Sequence, residues 1–416
     1  MIRTYMKLKF SLTTVLAAMF LASCGGSGTT TPAPPGVVPP PPPADTLGPS
    51  LCVGGIAATF PCLGMKLHKR VPLSDFNASA GNDIWGWTDP NNGDEYALMG
   101  LSNGVSFVRI TDPENPVLVG KMTTQTAEST WRDIKVYQNH AFVVADNAGA
   151  HGIQIFDLTR LRGISNNANF SADVVFSDIN SAHNIVINED SGFAYVVGSN
   201  RCAGGLYMLN IANPVDPIFA GCHSNQGYTH DAQCVIYNGP DTAHVGKEIC
   251  FRSNENSVSI SNVTNKSAPV TLSSATYPNF GYTHQNWIDE THSFLFVGDE
   301  TDEVDRGIAT STIVLDVRDL NNAQFLYTHV AGTNASDHNM YVVGDLLYQA
   351  NYHAGLRILQ FGDLSTDTLN QVRFFDTYPA NNASGFDGAW SVYPFFASGN
   401  IIVSDIDRGL FIVAEE

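Results

Sequence analysis

Residues 183–218 read HNIVINEDSGFAYVVGSNRCAGGLYMLNIANPVDPI and contain one complete structural unit. Short runs rich in β-branched and aromatic residues, such as IVI at 185–187 and FAYVV at 193–197, are typical of β-strands. The strand-like runs are separated by EDSG at 189–192 and NPVDP at 213–217, which are turn-forming sequences. The segment therefore predicts four short antiparallel strands joined by two turns and one longer loop.

The same unit recurs along the chain after residue 48. One position at the start of each copy, here called a hub position, repeats at spacings of 46–54 residues; the seven are Trp85, Trp131, His183, His230, His284, His338 and Trp390. Four strands per roughly 50 residues is the pattern of a β-propeller. An array of β-sandwiches would need flexible linkers, and the sequence after residue 48 has none. We therefore predict an all-β fold, a β-propeller of about seven four-stranded blades.

The ends of the repeat region suggest how the ring closes. The last copy stops after its third strand, close to Val413. An extra strand-like segment, MKLHKRVPL at 65–73, precedes the first copy. Because unpaired sheet edges are a liability, we expect this N-terminal strand to complete the last blade.

Residues 1–24 have the features of a lipoprotein signal peptide. Basic residues precede an apolar run at 12–21, which is too short to span a bilayer and ends in LASC at 21–24. This pattern predicts lipid attachment at Cys24, although an ordinary cleaved signal with a chance cysteine is the alternative. Residues 25–48 are rich in Gly, Thr and Pro and predict a tether. Residues 49–416 are then a single propeller domain at the outer membrane or cell surface.

The remaining cysteines support export from the cytoplasm. Six are left besides Cys24, and an even number in an oxidising compartment indicates disulfides. Six cysteines allow 15 pairings. Proximity in sequence favours Cys52 with Cys62, Cys202 with Cys222, and Cys234 with Cys250.

The charge of the chain excludes one class of function. It has 21 basic and 40 acidic residues, a formal net charge of −19. Such a surface repels nucleic acid and attracts cations, so no nucleic-acid partner is expected.

Several segments together resemble the choice-of-anchor B family, extracytoplasmic bacterial proteins built from LVIVD-type propeller repeats. The matching segments, in order, are DIWGWTD at 83–89, WRDIKV at 131–136, AHNIVI at 182–187, YTHDAQC at 228–234, YTHQ at 282–285, DHN at 337–339 and GAWSVY at 388–393. Each is weak alone, but the ordered set covers nearly the whole chain from about residue 52. The resemblance implies a propeller outside the cytoplasm and implies no established reaction.

The hub positions hold the candidate site residues. Innermost propeller strands line a central channel, so His183, His230, His284 and His338 are brought together and are candidate ligands of a divalent transition metal. The remaining channel-mouth candidates are Trp85, Trp131, Asp133, Asp231, Asp337 and Trp390. The alternative is that each hub side chain only fixes its blade by bonding to loop backbone.

A second candidate is the acidic run DETDEVD at 299–305. Calcium prefers several oxygen ligands on flexible loops, which makes Asp299, Glu300, Asp302, Glu303 and Asp305 candidate calcium ligands. The spacing does not match an EF-hand, and a solvated acidic loop is the alternative.

These features leave two functional hypotheses. The first is a surface-displayed or periplasm-facing binding or scaffold propeller, held to the lipid membrane through Cys24, that captures an extracellular ligand or protein. The second is a metal-dependent extracytoplasmic enzyme, a hydrolase or oxidoreductase, that uses the histidines. The sequence contains neither GxSxG nor HExxH, so no catalytic residue is assigned.

Overall fold

A computed structural model of the chain describes residues 48–416. The predicted signal peptide (1–24) with Cys24, and the tether up to residue 47, lie outside the described residues. Residues 48–416 form seven antiparallel sheets, each with four main strands. The first strand of each sheet contacts the first strand of the next, and that of the seventh contacts that of the first, so the sheets form a closed ring. The predicted seven-bladed β-propeller is confirmed.

The strands follow the repeat. Three precede the first blade: β1 (Ile56–Ala57), β2 (Phe60–Leu63) and β3 (Met65–Val71). Blade 1 contains β4 (Gly81–Thr88), β5 (Glu95–Leu101), β6 (Gly104–Arg109) and β7 (Val117–Thr123). Blade 2 contains β8 (Arg132–Tyr137), β9 (His140–Ala145), β10 (Ile153–Asp157) and β12 (Val174–Phe176), while β11 (Ala168–Phe170) pairs in parallel with β7. Blade 3 contains β13 (Asn184–Asn188), β14 (Phe193–Val197), β15 (Leu206–Asn210) and β16 (Ile218–His223).

The remaining blades have the same order. Blade 4 contains β17 (Asp231–Ile236), β18 (Glu248–Ser253), β19 (Val258–Asn262) and β20 (Val270–Ala275). Blade 5 contains β21 (Thr283–Ile288), β22 (Phe294–Asp299), β23 (Ser311–Asp316) and β24 (Gln324–Val330). Blade 6 contains β25 (Asn339–Val343), β26 (Leu346–Ala350), β27 (Leu356–Gln360) and β28 (Asn370–Phe375), and blade 7 contains β29 (Ala389–Tyr393), β30 (Ile401–Asp405) and β31 (Gly409–Glu415). The helices of residues 48–416 are α1 (Leu73–Phe76) and α2 (Asp302–Arg306), with 3-10 turns at Leu158–Leu161 and Cys202–Gly204.

The core lies between neighbouring blades. Phe142 and Val144 on β9 pack with Ile185 and Val196 of the next blade in one buried cluster. Both faces of the inner strands are covered in this way, which explains why β9 and β14 are almost continuously apolar. Face-to-face packing of this kind holds the first strands of all seven blades close to a common axis.

The ring closes as the sequence predicts. Strand β3 pairs antiparallel with β31, with Met65 opposite Glu415 and Val71 opposite Leu410, and supplies the fourth strand of blade 7. Strand β2 continues along the outer edge of blade 6 by pairing with β28, and β1 pairs with β2. The sequence does not predict this additional pairing.

Three disulfides join the cysteine pairs that proximity favours. Cys52 bonds to Cys62, Cys202 to Cys222, and Cys234 to Cys250. Disulfides persist in oxidising compartments, so they indicate a location outside the cytoplasm. Among residues 48–416, no helix combines the length and apolar character needed to cross a bilayer.

Candidate functional site

Four histidines from successive blades meet at one end of the channel. His183, His230, His284 and His338 lie at the starts of the first strands of blades 3 to 6. Adjacent imidazole ring centroids are 4.2, 4.3 and 4.3 Å apart in this order. The four side chains therefore form a continuous curved row, here called the histidine arc, and the prediction that the fold gathers them is confirmed.

Three of the four Nδ1 atoms of the arc make polar contacts with groups in neighbouring blades. The Nδ1 of His230 donates a hydrogen bond to the carbonyl oxygen of His284 at 2.9 Å, and that of His338 donates to the carbonyl oxygen of Trp390. The Nδ1 of His183 lies 3.2 Å from a carboxylate oxygen of Asp146. These bonds tie each blade to a neighbour, as the structural alternative requires. For His230 and His338 these bonds place the proton on Nδ1 and leave Nε2 as an acceptor, whereas the Nδ1 of His284 has no hydrogen-bond partner.

Burial keeps three of the imidazoles neutral, those of His230, His284 and His338. It lowers the pKa of His230 and His284 well below the usual value, helped by the neighbouring histidines, and it lowers the pKa of His338 to about 3. Neutral imidazole is the form that binds metal ions. His230, His284 and His338 are therefore in the protonation state of metal ligands at neutral pH.

One carboxylate faces two members of the arc. Glu300 follows β22, and its Oε2 lies 3.8 Å from the Nε2 of His284 while its Oε1 lies 3.9 Å from the Nε2 of His338. The hydroxyl of Tyr352 donates to the Oε1 of Glu300 at 2.6 Å. Burial raises the pKa of Glu300 to about 7. These three side chains place two nitrogens and a carboxylate oxygen within 4.8 Å of one another.

A small cavity adjoins the arc. Its volume is about 20 Å³, enough for roughly one water molecule. It is lined by the four histidines together with Asp83, Trp131, Arg132, Asn184, Asn339 and Trp390. Of the predicted channel-mouth residues, Trp131 and Trp390 therefore lie at this end of the channel.

The next layer of the channel is charged. Lys135 Nζ lies 2.6 Å from a carboxylate oxygen of Asp133 and 3.6 Å from one of Asp83. Burial alone would raise the pKa of Asp133, but Lys135 and hydrogen bonds outweigh it and lower that pKa. Asp231 lies in the same region, and burial and Asp133 raise its pKa to about 7. Asp133 and Asp231 therefore belong to this charged layer and not to the rim of the cavity.

Two other predicted channel-mouth residues lie elsewhere. Trp85 packs against Tyr341 and Tyr393, and each of these follows its blade's hub position by three residues, which is about 10 Å along a strand. Trp85 is therefore not part of the layer that contains the histidines. Asp337 also lies elsewhere, because its carboxylate accepts the backbone N–H of Asp299 and meets Asp302 and Glu303 between blades 5 and 6.

The structure also corrects the predicted calcium loop. Its carboxylates do not converge as one set. Asp299 accepts hydrogen bonds from the hydroxyl of Tyr277 and the backbone N–H groups of residues 281 and 282, Glu300 faces the histidine arc, and Asp305 is exposed. Asp302 and Glu303 instead meet Asp337 from the next blade.

The sequence analysis assigned Glu300 to a calcium loop instead of to the histidine site, and it did not name Lys135. Glu300 appears in an acidic run, and nothing in that run distinguishes it from its neighbours. Lys135 follows Asp133 by two residues on β8, so the two share one face of the strand, and this spacing is a signal for their ion pair.

Neither a known family model nor a curated protein matches the chain. Solved structures match it over most of its length. The β-propeller domain of Cps50 (Swd1) from Myceliophteria thermophila is 9% identical with a TM-score of 0.55, and the match covers 85% of this chain and 99% of that one. Hydrazine synthase of Kuenenia stuttgartiensis is 12% identical with a TM-score of 0.53, covering 77% and 92%. A Lactobacillus plantarum protein is 13% identical with a TM-score of 0.51, covering 78% and 89%. At these identities the likeness shows a β-propeller fold and carries no activity with it.

Proposed function

We propose that this protein is an extracytoplasmic binding propeller of the choice-of-anchor B family, held to a membrane through a lipid on Cys24, and that its channel end holds a transition-metal ion. One observation carries the metal assignment: two neutral imidazole Nε2 atoms lie 3.8 and 3.9 Å from the two oxygens of one partly buried carboxylate, that of Glu300. The ordered hub motifs support the family, and the LASC sequence at 21–24 supports the lipid.

The distances from the two Nε2 atoms to the Glu300 oxygens fit ligands of a shared metal ion better than direct hydrogen bonds. They are too long for hydrogen bonds, which do not extend to 3.6 Å. Ligands of a tetrahedral ion bonded at about 2.1 Å are about 3.4 Å apart, and the nitrogen-to-oxygen distances of 3.8 and 3.9 Å exceed this value by a few tenths of an ångström. Tyr352 donates a hydrogen bond to Glu300, and the carbonyl oxygen of Trp390 accepts one from His338. Metal ligands in proteins are commonly oriented by hydrogen bonds of this kind.

Metal content tests this assignment. The full chain is stripped with a chelator, reloaded with Zn²⁺ and dialysed, and its zinc is measured by elemental analysis. We expect one ion per chain, and none in the double variant His284→Ala with His338→Ala. His329→Ala is the control, because His329 lies on β24 and pairs with Asp367. If the wild-type protein retains no zinc after dialysis, or if the double variant retains as much zinc as the wild type, the proposed metal site is wrong.

Membrane fractionation tests the lipid. Cys24→Ala is expected to move the protein from the membrane to the soluble fraction and to abolish incorporation of labelled palmitate. Ser27→Ala, in the tether, is expected to leave both unchanged. If Cys24→Ala stays in the membrane fraction, the proposed lipid is not what holds the protein there.

The cavity favours a second candidate function, a metal-dependent hydrolase. Catalytic zinc sites have three protein ligands and an open position for water, and the water-sized cavity adjoins the three-residue set. Zinc-loaded protein is assayed against nitrophenyl esters and phosphoesters. Turnover that disappears in the His284→Ala, His338→Ala variant would favour the enzyme, and equal rates in both would favour binding alone.

A further inference from the structure

Three carboxylates are buried together between blades 5 and 6. Asp302 and Glu303 begin α2, and Asp337 precedes β25 in the next blade. Their exposed fractions are only 3%, 1% and 1%. Each contributes an oxygen to a group whose members lie within 4.8 Å of one another. This set of Asp302, Glu303 and Asp337 is here called the buried acid cluster.

In each carboxylate one oxygen accepts a hydrogen bond from a neighbouring donor and the other has no donor, and the Asp302 and Glu303 carboxyl groups lie close enough to share a proton. Ser311 donates from its hydroxyl to the Oδ2 of Asp302 at 3.1 Å and from its backbone N–H to the Oε1 of Glu303 at 3.3 Å. The backbone N–H of Asp299 donates to the Oδ2 of Asp337 at 3.1 Å. In contrast, Asp302 Oδ1, Glu303 Oε2 and Asp337 Oδ1 are buried and accept no hydrogen bond. Buried oxygens without partners are costly, so a native protein normally compensates them.

No basic side chain supplies that compensation. Among the ion pairs of residues 48–416, none joins a lysine or arginine to a member of the cluster. The neighbouring charges that act on Asp337 are themselves carboxylates, those of Asp302, Asp299 and Glu300. Several negative charges in a dry site are stable only with a bound cation or with added protons.

We propose that the buried acid cluster is a binding site for a hard divalent cation, Ca²⁺ in the first place, which takes the free oxygens of Asp302, Glu303 and Asp337. Calcium binds oxygen ligands at 2.3–2.6 Å, so oxygens on opposite sides of the ion are about 5 Å apart, which matches the span of the cluster. Carboxylate oxygens are hard ligands, whereas imidazole suits transition metals. The cluster and the histidine arc therefore select different ions.

The competing explanation is protonation. Burial raises the pKa of Asp302 to about 6 and that of Glu303 to about 12, so protons can neutralise the cluster when no cation is bound. The two explanations make opposite predictions for Glu303→Gln. An amide removes a cation ligand, but it is a good substitute for a protonated carboxyl group.

Calorimetry distinguishes cation binding from protonation. CaCl₂ is titrated into the chelator-treated full chain, and thermal unfolding is measured in parallel. We expect one Ca²⁺ per chain and an increase of Tm with Ca²⁺. Glu303→Gln and Asp337→Asn should each weaken binding at least tenfold, and Asp305→Asn, on the exposed side of the same helix, should bind as wild type does. The His284→Ala, His338→Ala variant should still respond to Ca²⁺, which separates this site from the proposed transition-metal site. Absence of Ca²⁺ binding by the wild type overturns the proposal. So does a Glu303→Gln variant that binds Ca²⁺ normally.

Discussion

Asp405 is a buried carboxylate whose ionisation the native structure opposes. It is fully buried at the end of β30, and its Oδ1 accepts the backbone N–H groups of Asp407 and Arg408. Burial raises its pKa to about 6 from an ordinary value of 3.8. The native state therefore binds a proton that the unfolded state has released between about pH 4 and pH 6. Asp405 thus lowers the free energy of unfolding as the pH rises through that window, by roughly 3 kcal/mol in total.

We accordingly predict that Asp405→Asn is more stable than wild type at pH 7.5 and gains little at pH 4, because the amide accepts the same hydrogen bonds without ionising. The measurement is Tm as a function of pH for both proteins. Asp190→Asn, in an exposed turn, is the control and should follow the wild-type curve. A Tm difference that does not grow with pH would show that Asp405 is not responsible.

At the scale of single elements, the disulfide Cys234–Cys250 joins two directly paired strands, because Cys234 on β17 lies opposite Cys250 on β18. It closes a loop of 16 residues, for which chain entropy gives about 3 kcal/mol of stabilisation. We predict that Cys234→Ala with Cys250→Ala lowers the free energy of unfolding in urea by about 2–4 kcal/mol and leaves zinc binding unchanged. Loss of zinc together with stability would instead mean that the disulfide also positions the histidine arc.

Strands and turns were predictable from the sequence because they depend on local patterns. IVI, FAYVV and the turn EDSG at 189–192 each encode an element that the structure contains. The register of the first strands was not predictable in the same way. Strands β4, β21 and β29 each contain an irregularity in pairing near the hub position, but β21 and β29 keep His284 and Trp390 beside the cavity, whereas in blade 1 Asp83 lines it. Trp85 therefore matches the repeat spacing and still lies in another layer of the channel.

The residues that the acidic run at 299–305 contacts in the fold could not be predicted from the sequence either. The histidines could be predicted to meet because they occupy one repeated position. Glu300 and Asp302 belong to a single acidic run, yet Glu300 faces the channel and Asp302 faces the interface with blade 6. Only the backbone path from β22 into α2 separates them, and no residue pattern in the run encodes that path.

At the scale of the whole molecule, ring closure depends on β3. Leu67 on this strand is 1% exposed, whereas Leu63 on β2 is 48% exposed. We predict that Leu67→Asp lowers Tm, broadens unfolding and speeds hydrogen exchange in residues 409–415, because a buried charge detaches β3 from β31. Leu63→Asp is the matched control and should leave all three near wild type. Slow exchange in 409–415 despite Leu67→Asp would mean that β31 does not need β3.

The pairing of β3 with β31 also fixes an order of events during synthesis. The strand that seals the ring is made first, and its partner follows more than 300 residues later. Until those last residues have been synthesised, the growing propeller is an open crescent, and β3 at one end of it has no partner strand. A chain that stalls before β31 is made thus exposes two unpaired sheet edges, those of β3 and β30, and neighbouring crescents can associate through such edges.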